Sequence, residues 1–404
     1  MAGLLFLTQR IPYPPIKGEK IRPLQILRHL ARSYDVHLGC LVDDPRDHEH
    51  EPTVAAICKN SYFAHLDRKR ARITCLRGLL TGEPLSVTFY HDDGLATWIK
   101  QVIANVKPEV IFICSSNMAP YVLDLLGDER VSICDLADVD SEKWRAYAEA
   151  GSGPMKFVHR REWKKTAELE ARIARECDWS TFVSNEEAAL FAEQHPEHAG
   201  KIRGIGSGVD HVYFDPQLAF DAPYATDRAN FVFTGTMDYK PNVDAVRWFA
   251  EAMLPLIRAR HADAQFHIVG SSPSPEVSAL AAMPGVFVTG RVPDVRPYLA
   301  HATAGVAPMQ IARGIQNKVL ESMAMARPTV VTSDALTGIA AEPGSEVLLA
   351  DGVEAFAEAC IRVIETGAPG VGDAARARIV ASFIWAEKLR GFDALLSPTP
   401  VHAA

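Results

Sequence analysis

The chain has 404 residues, of which 48% are hydrophobic, and a formal net charge of −8 at pH 7. This composition supports a large buried core and excludes a disordered chain, and about two or three domains are typical at this length. The acidic balance argues against nucleic acid as a partner, and no stretch reaches the roughly 18 consecutive apolar residues of a membrane-spanning helix.

The first residues and the cysteines bear on location. The start, MAGLLFLTQRIPYPP, lacks a basic region and has only a short apolar run, which is not the pattern of a secretory signal peptide. The seven cysteines form no C-x-x-C pair, so we expect reduced thiols and neither a disulfide framework nor a zinc site. We therefore predict a cytoplasmic protein, either free or in peripheral contact with the inner face of a membrane.

Strand-like and helical segments alternate from the first residues onward. Apolar runs typical of strands occur in the first half at 4–7, 36–42, 62–66, 110–114, 131–136 and 181–184. The second half repeats the pattern at 231–234, 265–269, 286–289, 305–307, 329–332 and 347–349. Continuous apolar strands that alternate with helices indicate parallel sheets covered on both faces. The sequence therefore predicts an α/β fold with two Rossmann-like parallel-sheet domains.

A loop-like stretch separates the two sets of strands. We place the first domain at 1–213, the linker at 214–229 and the second domain at 230–373. Residues 374–404 contain a single helical pattern with no strand after it. A terminal helix without its own strand is expected to cross back and pack on the first domain.

The loop after the first strand is the first candidate site, because ligands of open α/β sheets bind beyond the carboxyl ends of strands. Residues 8–22 carry Gly18 together with the cations Arg10, Lys20 and Arg22. Backbone amides and cations at the start of a helix suit a phosphate or another polar ligand. The segment matches neither GxGxxG nor a Walker A motif, which argues against nicotinamide and ATP P-loop sites. A proline-rich turn with solvated lysines stays open as the alternative.

Three acidic residues follow the strand near residue 133. Asp135 and Asp138 are candidate catalytic bases, and Asp140 is a candidate for binding hydroxyl groups. The alternative is N-capping of the next helix by Asp138, Asp140 or Ser141. Three acids without a spaced set of partners are poor evidence for a metal, so we expect none.

A basic segment lies at 155–165. It reads MKFVHRREWKK and combines five Lys or Arg residues with Phe157 and Trp163. Such a helix face can meet an anionic membrane or a polyanionic acceptor. The alternative is an ordinary solvated helix face.

Two loops after strands of the second half combine glycines with cations. In FTGTMDYKPN, Gly235 leaves room for a ligand and Lys240 can contact a phosphate. In TGRVP, Gly290 and Arg291 can border a nucleotide base. Tight turns without a ligand are the alternative at both loops.

The segment 305–333 is the most informative part of the sequence. A short strand and a glycine-containing loop lead into a helix with Lys318 and Glu321 at i,i+3, which places them on one face. A lysine in the first turn opposes the helix dipole, whereas an anionic ligand there would suit both. Lys318 can reach a phosphate, and Glu321 can accept hydrogen bonds from a ribose. A surface ion pair is the alternative.

These segments together resemble a known family. GTMDYKPNVDAVRWFAEAMLP, FHIVG and VTGRVPDVRPYLAHATAGVAPMQIARGIQNKVLESMAMARPTVVTS resemble the donor domain of retaining GT-B glycosyltransferases of family 4. GSGVDHVYF resembles the Asn-Gly-Val-Asp turn before the family's linker, with Ser207 in the place of the asparagine. More narrowly, DVDSEKW and GIQNKVLE resemble sugar transferases linked to bacterial exosortase (PEP-CTERM) exopolysaccharide clusters.

The resemblance implies both a fold and an activity. The fold is GT-B, with a UDP- or GDP-sugar donor on the second domain, a glycan or lipid-linked acceptor on the first, and reaction in the cleft between them. Transfer is expected to proceed with retention, without cofactor or metal, in exopolysaccharide biosynthesis. Glu321 matches the family's ribose-binding glutamate, and Gly18 matches the glycine of its first loop. Gly235 and Lys240 fall where the family carries a basic diphosphate-binding pair.

The candidate residues can then be assigned by role. The catalytic candidates are Asp135, Asp138, Lys240 and Lys318. The acceptor-binding candidates are Arg10, Lys20, Arg22 and Asp140. The donor-binding candidates are Gly18, Gly235, Lys240, Gly290, Arg291, Arg313, Gly314, Ile315, Asn317, Lys318 and Glu321.

The sequence departs from the family pattern at three places. Arg313 stands where the first glutamate of the family's two-glutamate motif is expected, which leaves the sugar unnamed. Thr236 follows Gly235 where an arginine is usual, so Lys240, Lys318 and Arg313 are expected to meet the diphosphate charge. The family's histidine after the fifth strand has no counterpart, and Asp135 or Asp138 occupies that region.

Two other functions stay open at this point. A nucleotide-sugar 2-epimerase shares the fold and acts on the donor without an acceptor. A non-catalytic sugar-nucleotide or glycan-binding protein is the second, given the departures at Arg313 and Thr236. A dehydrogenase is disfavoured because no GxGxxG follows a strand.

Overall fold

A computed structural model describes residues 1–15, 18–312 and 314–396, without the side chains of Arg77 and Leu80. The chain divides into two compact units. The first comprises Met1–Gly206 and the described residues from Leu389 onward, and the second comprises Ser207–Lys388.

The first unit is built on a parallel sheet. Its described strands are β1 (Ala2–Thr8), β2 (Tyr34–Val42), β3 (Asn60–His65), β4 (Val110–Cys114), β5 (Val131–Ala137), β6 (Trp179–Phe182) and β7 (Ile202–Gly204). They lie in the order β3-β2-β1-β4-β5-β6-β7, with parallel pairing throughout. The order reverses between β1 and β4, and such a switch point opens a crevice at the carboxyl ends of the two strands.

Helices flank this sheet. They are α1 (Gly18–Leu30), α2 (Glu51–Ala55), α3 (Arg68–Thr74), α4 (Gly78–Thr81), α5 (Leu85–Phe89), α6 (Asp93–Val106), α7 (Asp140–Ala150), α8 (Pro154–Glu176) and α9 (Asn185–Gln194). Short 3₁₀ helices lie at Pro45–His50, Cys75–Arg77, Ser116–Tyr121, Leu123–Leu125 and Pro196–Lys201. Strand β4 is buried along its whole length, as expected for a central parallel strand covered on both faces.

The second unit repeats the design. Its described strands are β8 (Asn230–Thr234), β9 (Gln265–Val269), β10 (Val286–Gly290), β11 (Ala304–Ala307), β12 (Thr329–Val331) and β13 (Leu348–Leu349). They lie in the order β10-β9-β8-β11-β12-β13, again with parallel pairing. The switch point of this sheet lies between β8 and β11.

The helices of the second unit enclose an aromatic core. They are α10 (Lys240–Trp248), α11 (Leu254–Arg260), α12 (Pro275–Ala279), α13 (Arg296–Ala300), α14 (Asn317–Ala324), α15 (Ser333–Leu336), α16 (Val353–Thr366), α17 (Val371–Ser382) and α18 (Trp385–Leu396), which continues into the first unit. A π-helical turn, Phe249–Met253, joins α10 to α11. It places the Phe249 ring 4.4 Å from that of Phe266, centroid to centroid. A bilayer-crossing helix is absent from the described residues, because none of their helices joins sufficient length with sufficient apolar character.

The two predicted α/β sheets are confirmed, and each predicted strand corresponds to an observed one. Strand β7 was not predicted, because three residues are too short to show a pattern. The single helix predicted from residue 374 is wrong. It divides into α17 and α18, because Val209 N–H donates to the carbonyl of Phe383 at 2.8 Å and Val209 pairs with Ile384.

The division between the units falls after Gly206, so residues 207–213 lie in the second unit and not in the first domain as predicted. The guanidinium of Arg376 holds them there by donating to the carbonyls of His211 and Phe214, both at 2.9 Å. Helix α17 also belongs to the second unit, and the first unit contains only the later residues of α18. Among these, Phe392 is fully buried and packs edge-on against Phe112 at 5.1 Å between ring centroids.

Candidate functional site

The switch point of the second sheet brings two predicted site residues beside a strand end. Glu321 lies on α14, and Lys318 precedes it by one turn. The hydroxyl of Thr234, the last residue of β8, donates to Glu321 Oε2 at 3.3 Å. The hydrogen bond spans the β8–β11 switch point, where a ligand of an open sheet binds.

Burial shifts the pKa values of both Lys318 and Glu321, and the charge of each residue opposes the shift of the other. Lys318 Nζ donates to Gln316 Oε1 at 2.9 Å and lies 5.1 Å from the centroid of the Phe233 ring. Burial lowers the pKa of Lys318 to about 8 against the opposing charge of Glu321. Burial likewise raises the pKa of Glu321, opposed by Lys318 and by the Thr234 hydroxyl. Lys318 therefore stays mainly protonated at neutral pH, as a partly desolvated cation beside a hydrogen-bond acceptor.

Glycines at neighbouring strand ends let the backbone pack closely. Gly235 N–H donates to the Val269 carbonyl at 3.1 Å, and Gly270 N–H donates to the Gly290 carbonyl at 3.2 Å. A Cβ added to Gly270 would lie 1.6 Å from the carbonyl oxygen of Gly235. A Cβ added to Gly290, which has a φ of +67°, would meet nothing within 4 Å. The sheet edge is thus tight at Gly270 and open at Gly290.

This contrast predicts a large effect of Gly270→Ala. The new methyl group must displace the Gly235 loop, and we expect a loss of about 3–5 kcal/mol in the free energy of unfolding. Gly290→Ala is the matched control, since only its left-handed φ opposes it, at about 1–2 kcal/mol. Urea unfolding of both variants measures the difference. Equal losses would contradict the tight packing of Gly270 on Gly235.

The remaining predicted donor residues occupy varied positions. Lys240 opens α10, is 71% exposed, and pairs with Asp244 at 2.6 Å. Arg291 is exposed, and Ile315 and Asn317 are partly buried at the start of α14. Gly314 adopts a φ of +64°, Gly18 begins α1, and Arg313 lies outside the described residues.

Two contributors to this site were not predicted. Gln316 orients Lys318, and Thr234 orients Glu321. The position of Gln316 two residues before Lys318 was visible in the sequence, but its contact was not. Thr234 is far from Glu321 along the chain, so only the fold shows that they meet.

The switch point of the first sheet also carries polar groups. Gln9 Oε1, beyond the end of β1, accepts from the Ser115 hydroxyl at 2.7 Å and from Asn117 Nδ2 at 3.2 Å. Ser115 has a φ of +84°, which is unusual for a residue with a side chain. Arg10 lies beside them with its Nε 3.1 Å from Asp43 Oδ2. Strained backbone at a switch point marks a candidate ligand site, and the sequence did not predict Gln9 or Ser115 as part of it.

Asp138 and Asp140 lie at the next strand end. The pairing of β5 with β6 shifts register before Ala137, which has a φ of +68°. Loss of hydration and the carboxylates of Glu187 and Asp140 raise the pKa of Asp138 to about 6, although its side chain still reaches solvent. Asp140 accepts from the Ser116 hydroxyl at 3.2 Å, and desolvation raises its pKa.

Asp135, predicted to be catalytic, and Arg22, predicted to bind an acceptor, instead form an internal ion pair. Arg22 Nε and Nη2 donate to the two carboxylate oxygens of Asp135, each at 2.8 Å, and the Thr181 hydroxyl adds a third bond at 2.8 Å. Both side chains are almost fully buried. Because the two buried charges compensate each other, we assign this pair a structural role.

Lys20, the other buried acceptor-site candidate, also forms an internal ion pair. Its Nζ lies 2.6 Å from Asp47 Oδ2 and also donates to the Tyr13 carbonyl at 3.3 Å. This pair ties the start of α1 to the 3₁₀ helix after β2. Of the predicted acceptor residues, Arg10 and Asp140 therefore keep partly exposed side chains at the sheet edge.

A buried acid behind Asp140 predicts a pH dependence. Glu170 on α8 is fully buried, its Oε1 accepts from Ser141 N–H at 3.1 Å, and burial raises its pKa to about 8. An unfolded glutamic acid titrates near about 4.3. Between these values the folded state holds a proton that the unfolded state has lost, so the contribution of Glu170 to stability is largest at low pH and falls as the pH rises towards 8.

We expect Glu170→Gln to flatten this dependence. The wild-type contribution is lost at up to about 1.4 kcal/mol per pH unit, and an amide cannot titrate. Urea unfolding between about pH 5 and pH 8 gives the two slopes. Glu168→Gln, at a 63% exposed side chain on the same helix, is the control and should keep the wild-type slope. Parallel slopes for wild type and Glu170→Gln would contradict the assignment.

Known proteins share this architecture over nearly the whole chain. Sucrose-phosphate synthase from Thermosynechococcus elongatus is 15% identical with a TM-score of 0.69, and 98% of each chain is covered. Anabaena HepE, solved with UDP and glucose, is 12% identical with a TM-score of 0.68, over 99% of this chain and 100% of HepE. The chain has the GT-B fold.

Part of the second unit also matches a family model. Residues 228–366 match the model described as glycosyl transferases group 1, and this range contains Gly235, Lys318 and Glu321. WaaG, a glycosyltransferase involved in lipopolysaccharide biosynthesis, is 13% identical with a TM-score of 0.65, over 98% of this chain and 100% of WaaG. No curated protein matches the sequence significantly. The group 1 domain within a GT-B fold supports a glycosyltransferase.

Proposed function

We propose that this GT-B protein transfers a sugar from a nucleoside-diphosphate sugar to an acceptor hydroxyl, with retention at the anomeric carbon. The observation that carries the proposal is the Lys318–Glu321 pair beside Thr234, at the switch point of the matched domain. HepE has been solved with UDP and with UDP-glucose, which favours a uridine donor over a guanosine donor.

Each donor-site group has a proposed role. Glu321 accepts hydrogen bonds from the ribose, while Lys318 and the exposed Lys240 meet the diphosphate. Gly290 and the exposed Arg291 border the nucleotide base. Cations and amides aimed at the diphosphate stabilise the charge that develops as it leaves, so electrostatics supplies most of the rate enhancement.

The proposed transfer breaks the bond between the anomeric carbon and the β-phosphate oxygen. The acceptor oxygen bonds to the same carbon from the face that the phosphate leaves, and the hydroxyl proton passes to the departing phosphate oxygen. This sequence gives retention without a protein nucleophile. Arg10, Asp138 and Asp140 of the first unit are proposed to bind the acceptor hydroxyls.

An exposed surface of the first unit supports a lipid-linked acceptor. Ile73 on α3 and Phe157 on α8 are 74% and 76% exposed. Arg161, also on α8, connects that helix to the chain after α3, because its Nη2 donates to the carbonyls of Gly78 and Glu83. Basic residues surround both segments. Exposed apolar side chains among cations suit an anionic membrane. We propose peripheral membrane contact here, in exopolysaccharide biosynthesis, and co-sedimentation with anionic vesicles tests it.

A thermal-shift panel of nucleoside diphosphates and nucleotide sugars tests the donor proposal. A ligand at 100 times its dissociation constant stabilises the folded state by about 2.7 kcal/mol, which corresponds to an increase of about 5–10 °C in Tm. The absence of a shift with any uridine or guanosine compound would refute the donor site.

Product analysis with the stabilising donor then identifies the reaction. Transfer requires release of the nucleoside diphosphate together with a glycosylated acceptor, and NMR of the product gives the anomeric configuration. An epimerised sugar formed from the donor alone would instead establish a 2-epimerase. Tight binding without turnover would establish a binding protein.

A further inference from the structure

Two histidines and a glutamate meet at the edge of the first sheet, on elements that the proposed transfer does not use. His48 lies in the 3₁₀ helix Pro45–His50, Glu51 opens α2, and His65 ends the edge strand β3. His48 Nδ1 and His65 Nε2 each lie 2.8 Å from Glu51 Oε1. The three ligand atoms all lie within 4.8 Å of one another.

We propose that His48, Glu51 and His65 form a binding site for a divalent transition-metal ion of the Zn²⁺ type. Two imidazole nitrogens and a carboxylate oxygen are a set of donor atoms that zinc prefers, at bonds of about 2.0–2.2 Å. Ligand atoms around a tetrahedral ion of that size lie about 3.3 Å apart. On metal binding, the two 2.8 Å contacts to Glu51 Oε1 would widen by about half an ångström.

The arrangement differs from an ordinary histidine–carboxylate contact. Elsewhere, His91 Nε2 lies 3.0 Å from Asp93 as a simple pair. Here two imidazoles direct nitrogens at one oxygen, with ring centroids only 4.1 Å apart. Within the part of the chain that the structure describes, no other group of three such residues meets the same distance criterion.

The site is open to an ion from solvent. The side chains of His48, Glu51 and His65 are 38%, 22% and 60% exposed. Three protein ligands leave a fourth tetrahedral position for water or an anionic ligand.

Metal binding would stabilise this edge of the first sheet. It would link the segment after β2 directly to the end of β3. The same 3₁₀ helix is already tied to α1 through Asp47 and Lys20, so the ion would add a second anchor to one segment. Because the ion binds the folded state, loading must raise thermal stability.

The test uses the full chain after removal of metals by a chelator. Calorimetry and thermal shift with ZnCl₂ should show one ion per chain and a raised Tm, whereas MgCl₂ should show neither, because Mg²⁺ prefers oxygen ligands. Co²⁺ loading should give the visible absorption of a site with nitrogen ligands. Absence of Zn²⁺ binding to the wild type would overturn the proposal.

Matched variants locate the ion. His65→Gln and Glu51→Gln should weaken Zn²⁺ binding by more than the about 10–100-fold that loss of an outer-shell partner costs, with the metal-free circular dichroism unchanged. His91→Gln removes an exposed histidine from a simple pair and should bind Zn²⁺ as the wild type does. Equal affinity in His65→Gln and wild type would place the ion elsewhere and overturn the proposal.

Discussion

Lys318→Ala is expected to weaken nucleoside-diphosphate binding by about 10–100-fold. A hydrogen bond to a charged group contributes about 1.5–3 kcal/mol, and each 1.4 kcal/mol is about tenfold in affinity. Lys318 is partly desolvated beside Glu321 and Phe233, so little solvent screens its charge from a phosphate. Calorimetric titration with the diphosphate that stabilises the wild type measures the loss.

The pH dependence of the same titration checks the mechanism. Since burial lowers the pKa of Lys318 to about 8, wild-type affinity should decline as the pH rises above that value. Lys318→Ala should lack this decline. Glu321→Gln should also weaken binding, because the amide offers the ribose one acceptor oxygen in place of two.

A surface lysine provides the control. Lys165 and Glu168 form an i,i+3 pair on α8, with the same spacing as Lys318 and Glu321. It is a surface ion pair, which is the alternative that the sequence left open for Lys318 and Glu321. Lys165→Ala should bind the diphosphate with wild-type affinity. An affinity within twofold of wild type for Lys318→Ala would remove this lysine from the donor site.

Asp135→Ala should destabilise the first unit more than the other single substitutions proposed for that unit. It leaves the Arg22 guanidinium buried without its two carboxylate bonds, and breaking a buried pair costs about 3–5 kcal/mol. The Tm of a unit of this size should fall by about 6–20 °C. Differential scanning calorimetry measures the change.

Two further variants separate charge from packing. The double variant Arg22→Met, Asp135→Leu removes both charges and should recover much of the lost Tm, because an apolar pair needs no compensation. Asp124→Asn loses an exposed pair with Arg172 and should melt close to wild type. If Asp135→Ala also melted close to wild type, the pair would not be the structural anchor that its geometry indicates.

The sequence alone indicated the arrangement of Lys318 and Glu321 more directly than that of the acids in the first unit. The i,i+3 spacing of Lys318 and Glu321 sets a shared helix face by local geometry, and the strand before them sets the sheet edge. In the first unit, the sequence shows three acids in and after β5, but it does not show which of them faces the interior. Asp135 points inward to Arg22, whereas Asp138 reaches solvent after the register shift at Ala137.

The alternation of apolar strands and helices was sufficient to determine two parallel α/β sheets, because hydrophobic periodicity is a local property of the chain. It also determined which helix carries Lys318 and Glu321. Only the tertiary structure decided that Thr234 orients Glu321, that Asp135 neutralises Arg22, and that His48, Glu51 and His65 meet. The reason is physical: most of these contacts join residues far apart in sequence, and the strand order that brings them together depends on packing of the whole sheet.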